Sequence, residues 1–363
     1  MMDNEYLSNS NGALPNGHAN GISSDFNYEC KLTLEGHKKA VSSVKFASVH
    51  DSLLCSASAD KTIKLWDMYK TESIQTLGSH SQGISDVSWS HDDRFLCSAS
   101  DDRLVKIWDT EKSQVVYKFR GHKNYVFCST FSPFSNLCAS GSYDETVRIW
   151  DIRSGMCIRT LPAHADPVSS VSFSPDGTIL LTSGYDGYCR LWDVPTGRCL
   201  STIVASGEGH NPPVGFARFT PNGRFILVST LDDSVRLWDY SSLSGNSNVA
   251  GSNRRRNGRV MKTYRGHKNS RFCMFNSFIT VGNIKCVVSG SEDNFVYIWN
   301  LQTRQVIQKL EGHCDVVLTV AAHSKLPVIA SGSLEKDKSI KIWKDASRSD
   351  NSTFHSSLIN QQN

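Results

Sequence analysis

No run of about 18 consecutive apolar residues occurs in this chain, and its N-terminus lacks the basic and then apolar order of a secretion signal. The protein is therefore expected to stay in the cytosol or nucleus, away from the membrane. Paired cysteines are missing too. Eleven occur singly, at Cys30, Cys55, Cys97, Cys128, Cys138, Cys157, Cys189, Cys199, Cys273, Cys286 and Cys314. An odd number with no C-x-x-C pair argues against a zinc site and a disulfide framework, and for small buried thiols in a reducing compartment. Charge of one sign is scarce: 39 Lys and Arg against 35 Asp and Glu leave +4, so no broad nucleic-acid footprint is indicated. Also absent are a G-x-S-x-G elbow, a Walker loop, an H-E-x-x-H pair and any metal-ligand spacing. The expectation is a protein that is not an enzyme and uses no metal or other cofactor.

What is present is enough apolar material, 39% of 363 residues, for a substantial core. Residues 1–29 stand apart: rich in Asn, Gly and Ser, they cannot bury enough surface to offset ordering entropy and read as a disordered tail. From residue 30 a repeat takes over. A His preceded by a small residue recurs at His37, His80, His122, His164, His210, His267 and His313, and seven Trp follow in step at Trp66, Trp108, Trp150, Trp192, Trp238, Trp299 and Trp343. The first four Trp are spaced by 42 residues. That period is similar to the roughly 40–45 residues of WD40 repeats, each one four-stranded propeller blade. An Asp lies six residues before every one of these Trp, at Asp60, Asp102, Asp144, Asp186, Asp232, Asp293 and Asp337. Such a carboxylate can hold turn amides and join the blade's His, Ser and Trp in a buried polar network, so these residues are expected to maintain the fold. Trp89 belongs to no such series.

Apolar residues four, seven and nine positions after each His, such as Val41, Val44 and Phe46, predict a first strand. Two more follow, such as 53–56 and 62–66, and a fourth precedes the next Gly-His. The counts of third and fourth strands agree but are out of phase, because one fourth-type strand, 32–34, precedes every blade while none follows Trp343. The predicted fold is an all-β, seven-bladed WD40 propeller over residues 30–346, closed by an N-terminal outer strand. A polar insertion at 241–260 carries Arg254, Arg255, Arg256 and Arg259 and reads as a nuclear-import or phosphate-binding element, or as a solvated loop. Residues 347–363 read as a second disordered tail.

Function should sit where the repeats differ. The fifth residue after each His, near the mouth of the central channel, is Ser42, Ser85, Phe127, Ser169, Gly215, Phe272 or Leu318. Small residues leave the hole open, whereas Phe127, Phe272 and nearby Phe275 add aromatic faces. An opening lined by hydroxyls, carbonyls and rings suits a planar guanidinium, which gains cation–π attraction and directs five donors to oxygens. The same aromatics would equally serve to plug the channel as ordinary core.

The runs AVSSVKF, GISDVSWS, GHKNYVFC, SGSYDETVRIWD, LPAHADPVSSVSF, NPPV, SGSEDNFVYIWNLQT and EGHCDVV resemble the WD repeat-containing protein 5 (will-die-slowly) family over about residues 30–345. Members of that family are the propeller subunits of MLL/COMPASS-type histone H3 lysine 4 methyltransferase complexes. The resemblance implies a nuclear scaffold in chromatin and transcription regulation. Its channel mouth would take an arginine from an MLL/SET-type methyltransferase motif or from the histone H3 N-terminal tail. That arginine would lie between Phe127 and Phe275, with Ser42, Ala59, Ser85, Ser169 and Cys273 lining the pocket, Asp101 near the peptide backbone, and Tyr185, Pro167 and Phe216 at the rim. Tyr143, Gly215 and Arg271-Phe272 depart from the family's Phe, Ser and Lys-Tyr. A second cleft on the opposite face, for another COMPASS core subunit, maps to Asn222, Phe225, Leu237, Met261, Lys262, Phe278 and Gln302. The chain is expected to be a monomeric propeller within that complex. The competing expectation is a WD40 substrate receptor or general peptide adaptor, for example of a cullin-type ubiquitin ligase.

Overall fold

The computed structural model describes residues 27–206, 211–240 and 258–347. Among them, 28 strands form seven antiparallel four-stranded sheets. Blades 1 to 6 occupy residues 41–78, 84–119, 126–162, 168–204, 214–264 and 276–310, each running outward in chain order. Blade 7 takes three strands from residues 317–345 and its outermost one, Tyr28–Leu34, from the other end of the chain. This is the closed ring that the strand phase required. Tyr28–Leu34 pairs antiparallel with Ile340–Asp345, and Gln308 of blade 6 both accepts from Tyr28 N (2.8 Å) and donates to Tyr28 O (2.9 Å). The closing strand begins two residues inside the segment assigned to the tail, because Tyr28 is buried between blades 6 and 7. Residues 1–26, His210, Arg254 to Arg256 with the rest of 241–257, and 348–363 lie outside the described residues.

The core is distributed around the ring. Seven apolar clusters among the described residues each join two adjacent blades, such as Leu34, Val41, Val44, Trp66, Ile340 and Ile342 between blades 7 and 1. Alternation along each strand gives both faces of a sheet something to bury, and ring closure lets each blade use both neighbours.

Five blades carry the expected polar relay. In blade 1, His37 Nδ1 meets Asp60 at 2.8 Å, His37 Nε2 meets Ser56 Oγ at 2.7 Å, and Trp66 Nε1 donates to the same hydroxyl oxygen at 2.8 Å. With Nδ1 donating to the carboxylate, a neutral ring accepts the serine proton, which leaves the serine oxygen free to accept from tryptophan. Asp60 also accepts from the amides of Lys38 and Thr62, closing the turn. Blades 2, 3, 4 and 7 repeat this through Asp102, Asp144, Asp186 and Asp337, with Thr182 replacing serine in blade 4. Burial, the largest single influence, opposes ionisation of Asp102 and Asp186, but the histidine hydrogen bond and charge together with the turn amides at Asp102 and Arg190 at Asp186 outweigh it and hold both carboxyls at about 2.

Blades 5 and 6 depart from the expected uniformity. Val228 stands opposite Arg236 where the other blades place a hydroxyl, leaving Trp238 Nε1 buried without a partner, and Asp232 pairs with Arg236 at 2.6 Å. In blade 6 the Tyr297 hydroxyl donates to Asp293 at 2.7 Å. That contact removes the carboxylate from His267, which is buried with neither ring nitrogen bonded and is pushed down to about 4 by that burial.

Candidate functional site

The innermost strands of six blades start with a β-bulge. The ladder in blade 1 pairs Val41 with Ser58 and then Ser43 with Ala57, skipping Ser42. The same slip leaves Ser85, Phe127, Ser169, Gly215 and Leu318 unpaired. These are the fifth residues after each His. A bulged residue leaves the strand's alternation and can be re-aimed. Ser42, Ser85, Phe127 and Leu318 thereby line one cavity of about 360 Å³ at this end of the channel.

Blade 6 reaches the cavity by a different route. Its ladder begins only at Asn276. Residues 268–275, expected to start the innermost strand at Phe272, form no strand. Glu292 organises them instead. Its Oε1 accepts from the amides of Ser270 (2.7 Å), Arg271 (2.6 Å) and Phe272 (3.3 Å), and burial of the carboxyl is outweighed by these donors, so its pKa is lowered. Phe275 N donates to Leu318 O at 3.1 Å, fixing the end of the segment to blade 7. Arg271, Phe272, Cys273 and Phe275 are thus delivered to the cavity wall.

The cavity brings together Ser42, Ala59, Ser85, Asp101, Phe127, Tyr143, Tyr185, Phe272, Cys273 and Phe275 of the expected set. Three others are elsewhere. Ser169 is buried, with its hydroxyl 2.8 Å from Ser183 Oγ. Pro167 is half-buried and outside the lining, and its carbonyl accepts from Tyr185 N at 3.0 Å. Phe216 packs on Phe275 (centroids 4.9 Å apart, 57°) and lines a different cavity. The aromatics do not fill the channel as core: Phe127, Phe272 and Phe275 are each partly exposed to the cavity.

Asp101 is the one carboxylate among the lining residues. Ser85 Oγ donates to it at 3.2 Å, yet burial, the largest influence, raises its pKa. Phe127 meets Tyr143 edge-on at 5.8 Å, and the Tyr185 hydroxyl is 3.2 Å from Cys273 Sγ. Burial pushes the Cys273 thiol up to about 12 and raises Tyr185 as well, so both are neutral at pH 7. The wall therefore combines aromatic rings, hydroxyls, a neutral thiol, one half-buried carboxylate and one cation, Arg271. Sequence reasoning missed Lys45, whose Nζ lies 4.0 Å from the Phe275 centroid, and Glu292. Among the described residues no cluster of three His, Cys, Asp or Glu side chains could hold a metal ion.

Of the second expected cleft, Phe225, Leu237 and Phe278 share the apolar cluster between blades 5 and 6. Lys262 Nζ donates to Leu301 O, Gln302 O and Gln302 Oε1 beside them, at 2.9, 3.2 and 2.7 Å. Met261 is exposed, and Asn222 Oδ1 caps its own turn by accepting from Thr220 Oγ1 and Arg224 N.

Seven blades with recurrent His-Asp-Ser-Trp relays define a WD-repeat β-propeller, a class whose members generally serve as interaction scaffolds. The model of one family, the WDR5 beta-propeller domain, matches residues 33–344, and the chain belongs to that family. It is also similar to the WD repeat-containing protein 26 homolog of Arabidopsis thaliana, 39% identical over 88 residues, 23% of this chain and 14% of that protein. The WD repeat domain-containing protein 83 homolog of Dictyostelium discoideum is 36% identical over 85 residues, 23% and 25% of the two chains. The U5 small nuclear ribonucleoprotein 40 kDa protein of Mus musculus is 42% identical over 50 residues, 14% of each. The matched stretches span a quarter or less of these relatives.

Proposed function

We propose that this protein is the non-catalytic propeller scaffold of a nuclear histone H3 lysine 4 methyltransferase complex. The channel mouth takes an arginine side chain, supplied by an MLL/SET-type methyltransferase motif or by the histone H3 tail. The cleft around Phe225, Phe278 and Lys262 receives another core subunit of the same complex. The observation that carries this reading is the cavity itself: Phe127 and Phe275 line it together with a single carboxylate, Asp101. A guanidinium gains from ring faces and carboxylate at once, and its fork of donors can reach Ser42 and Ser85 where an ammonium satisfies fewer acceptors.

A titration with an arginine-bearing peptide tests it. Desolvated cation–π contacts contribute about 2 kcal/mol, so Phe127→Ala should weaken binding roughly 30-fold while leaving the circular dichroism spectrum unchanged. Unchanged affinity in the folded variant overturns the arginine reading. For the assembly, a pulldown should recover the methyltransferase subunit; recovery of a cullin-linked component in its place overturns that part.

A further inference from the structure

We propose that the other end of the channel is a carboxylate-binding site built around Arg218. A second cavity, of about 190 Å³, lies between residues 45–48, 216–218, 275–277 and 320–324, toward the ends of the innermost strands of blades 1, 5 and 7 and at the start of the strand of blade 6. The arginine mouth lies where the innermost strands of blades 1, 2, 3 and 7 start and before that of blade 6, and Phe275 is the residue common to both walls.

Two cations face this second cavity, and they differ in their partners. Lys45 is neutralised, with its Nζ 3.3 Å from Asp86 Oδ1 and 2.5 Å from Ser43 Oγ. Arg218 has a single hydrogen bond, from Nη1 to the Asn276 carbonyl at 3.2 Å, and no carboxylate within ion-pair distance among the described residues. Burial alone lowers its pKa. Arg218 is half-buried, so its guanidinium stays open to the cavity while its only hydrogen bond engages one of five donors, and an anion entering there meets an unpaired positive charge.

Asn276 gives an independent sign. It is 1% exposed and lines the cavity, and its Oδ1 has no partner while Nδ2 donates to Ser229 Oγ at 2.8 Å. Amide oxygen and nitrogen exchange places by a half-turn. Ser229 can donate to Oδ1 as readily as accept from Nδ2, so the turned amide places an N–H donor where the unpartnered oxygen stood, on a residue of the cavity wall. Ser277 Oγ accepts from Ala322 N, which leaves its own proton free to donate. One unpaired positive charge with amide and hydroxyl donors beside it suits a carboxylate. Phe46, Phe216 and Val320 supply apolar wall for a short carbon stem. The volume falls below the roughly 300–1,000 Å³ of pockets for drug-sized ligands, which restricts the guest to something the size of an acidic side chain.

The carboxylate can be free in solution or carried by a polypeptide lying across this face. Melting curves with glutarate, with an acidic tetrapeptide amide, and with sodium chloride at matched ionic strength separate these. At millimolar ligand either carboxylate should raise Tm by roughly 2–4 °C above the chloride control; a response to glutarate identifies a free ligand as sufficient, and a response to the peptide alone identifies a peptide-borne one. Arg218→Gln should abolish the response while melting no lower than the wild type, and Arg218→Lys should keep part of it. No response from the wild type, a response that survives in Arg218→Gln, or a marked loss of stability in that variant each overturns the proposal. The arginine reading is tested separately by Phe127→Ala, and its failure would leave this site untouched.

Discussion

Lys45 Nζ stands 4.0 Å from the centre of the Phe275 ring, so one of the two phenylalanines at the arginine mouth already carries a cation. A ring has one quadrupole to share, and an incoming guanidinium meets the reduced attraction. Lys45→Met should therefore strengthen arginine-peptide binding several-fold. The same change strips Asp86, 4% exposed, of its ion pair, so the variant should also melt lower. Titration and melting on one sample check both signs.

Asp101 should show the opposite exchange between stability and binding. Its folded pKa is raised, chiefly by burial and in addition by Asp102, against the pull of the Ser85 hydroxyl. A raised carboxyl favours the fold while protonated and loses that contribution as pH rises past its unfolded value. At pH 7 Asp101→Asn should thus raise Tm, by about 2 °C, while weakening arginine-peptide binding. Because the cation needs the ionised form, wild-type affinity should fall as pH is lowered from 7 into the raised range of Asp101. The asparagine variant should show no such slope in parallel titrations.

The relay predicts opposite signs for one exchange at two sites. Thr182→Val removes the oxygen shared by His164 Nε2 and Trp192 Nε1 and should cost about 1–3 kcal/mol. Val228→Thr offers Trp238 Nε1 the acceptor it lacks and should leave stability unchanged or add up to about 1 kcal/mol. Denaturant unfolding of the two variants decides it.

Closure gives the last prediction. Deleting residues 27–34 uncovers the edge of Ile340–Asp345 together with Ile340 and Ile342 and should lower Tm by at least about 10 °C. Gln308→Ala, which removes only the tie to Tyr28, should cost a few degrees.

The ring was legible because its signals repeat: seven His, seven Asp and seven Trp in step, with strand counts out of phase by one. Comparison across repeats also singled out the position that the bulge re-aims, since Phe127 stands where Ser42 and Ser85 are serines. It failed where a blade abandons the common geometry. Phe272 was placed on a strand because His267 keeps the usual address, but Glu292 gathers the amides of residues 270–272 and postpones the ladder to Asn276. The family resemblance placed Ser169 in the pocket lining, whereas its side chain is buried with its hydroxyl bonded to Ser183. Lys45 and Arg218 left no mark in sequence, because a basic residue on a strand reads as solvent-facing until the ring curls its inner strands around a channel.

The seam of blade 7 also sets a timetable for synthesis. Tyr28–Leu34 leaves the ribosome roughly 310 residues before its partner Ile340–Asp345, which at about 5–20 residues per second is an interval of roughly 15–60 seconds. Blades 1 to 6 have all their strands before that partner exists. The first of the described strands to be made is thus the last to be seated, and the nascent ring presents an unfinished edge until translation has passed Asp345.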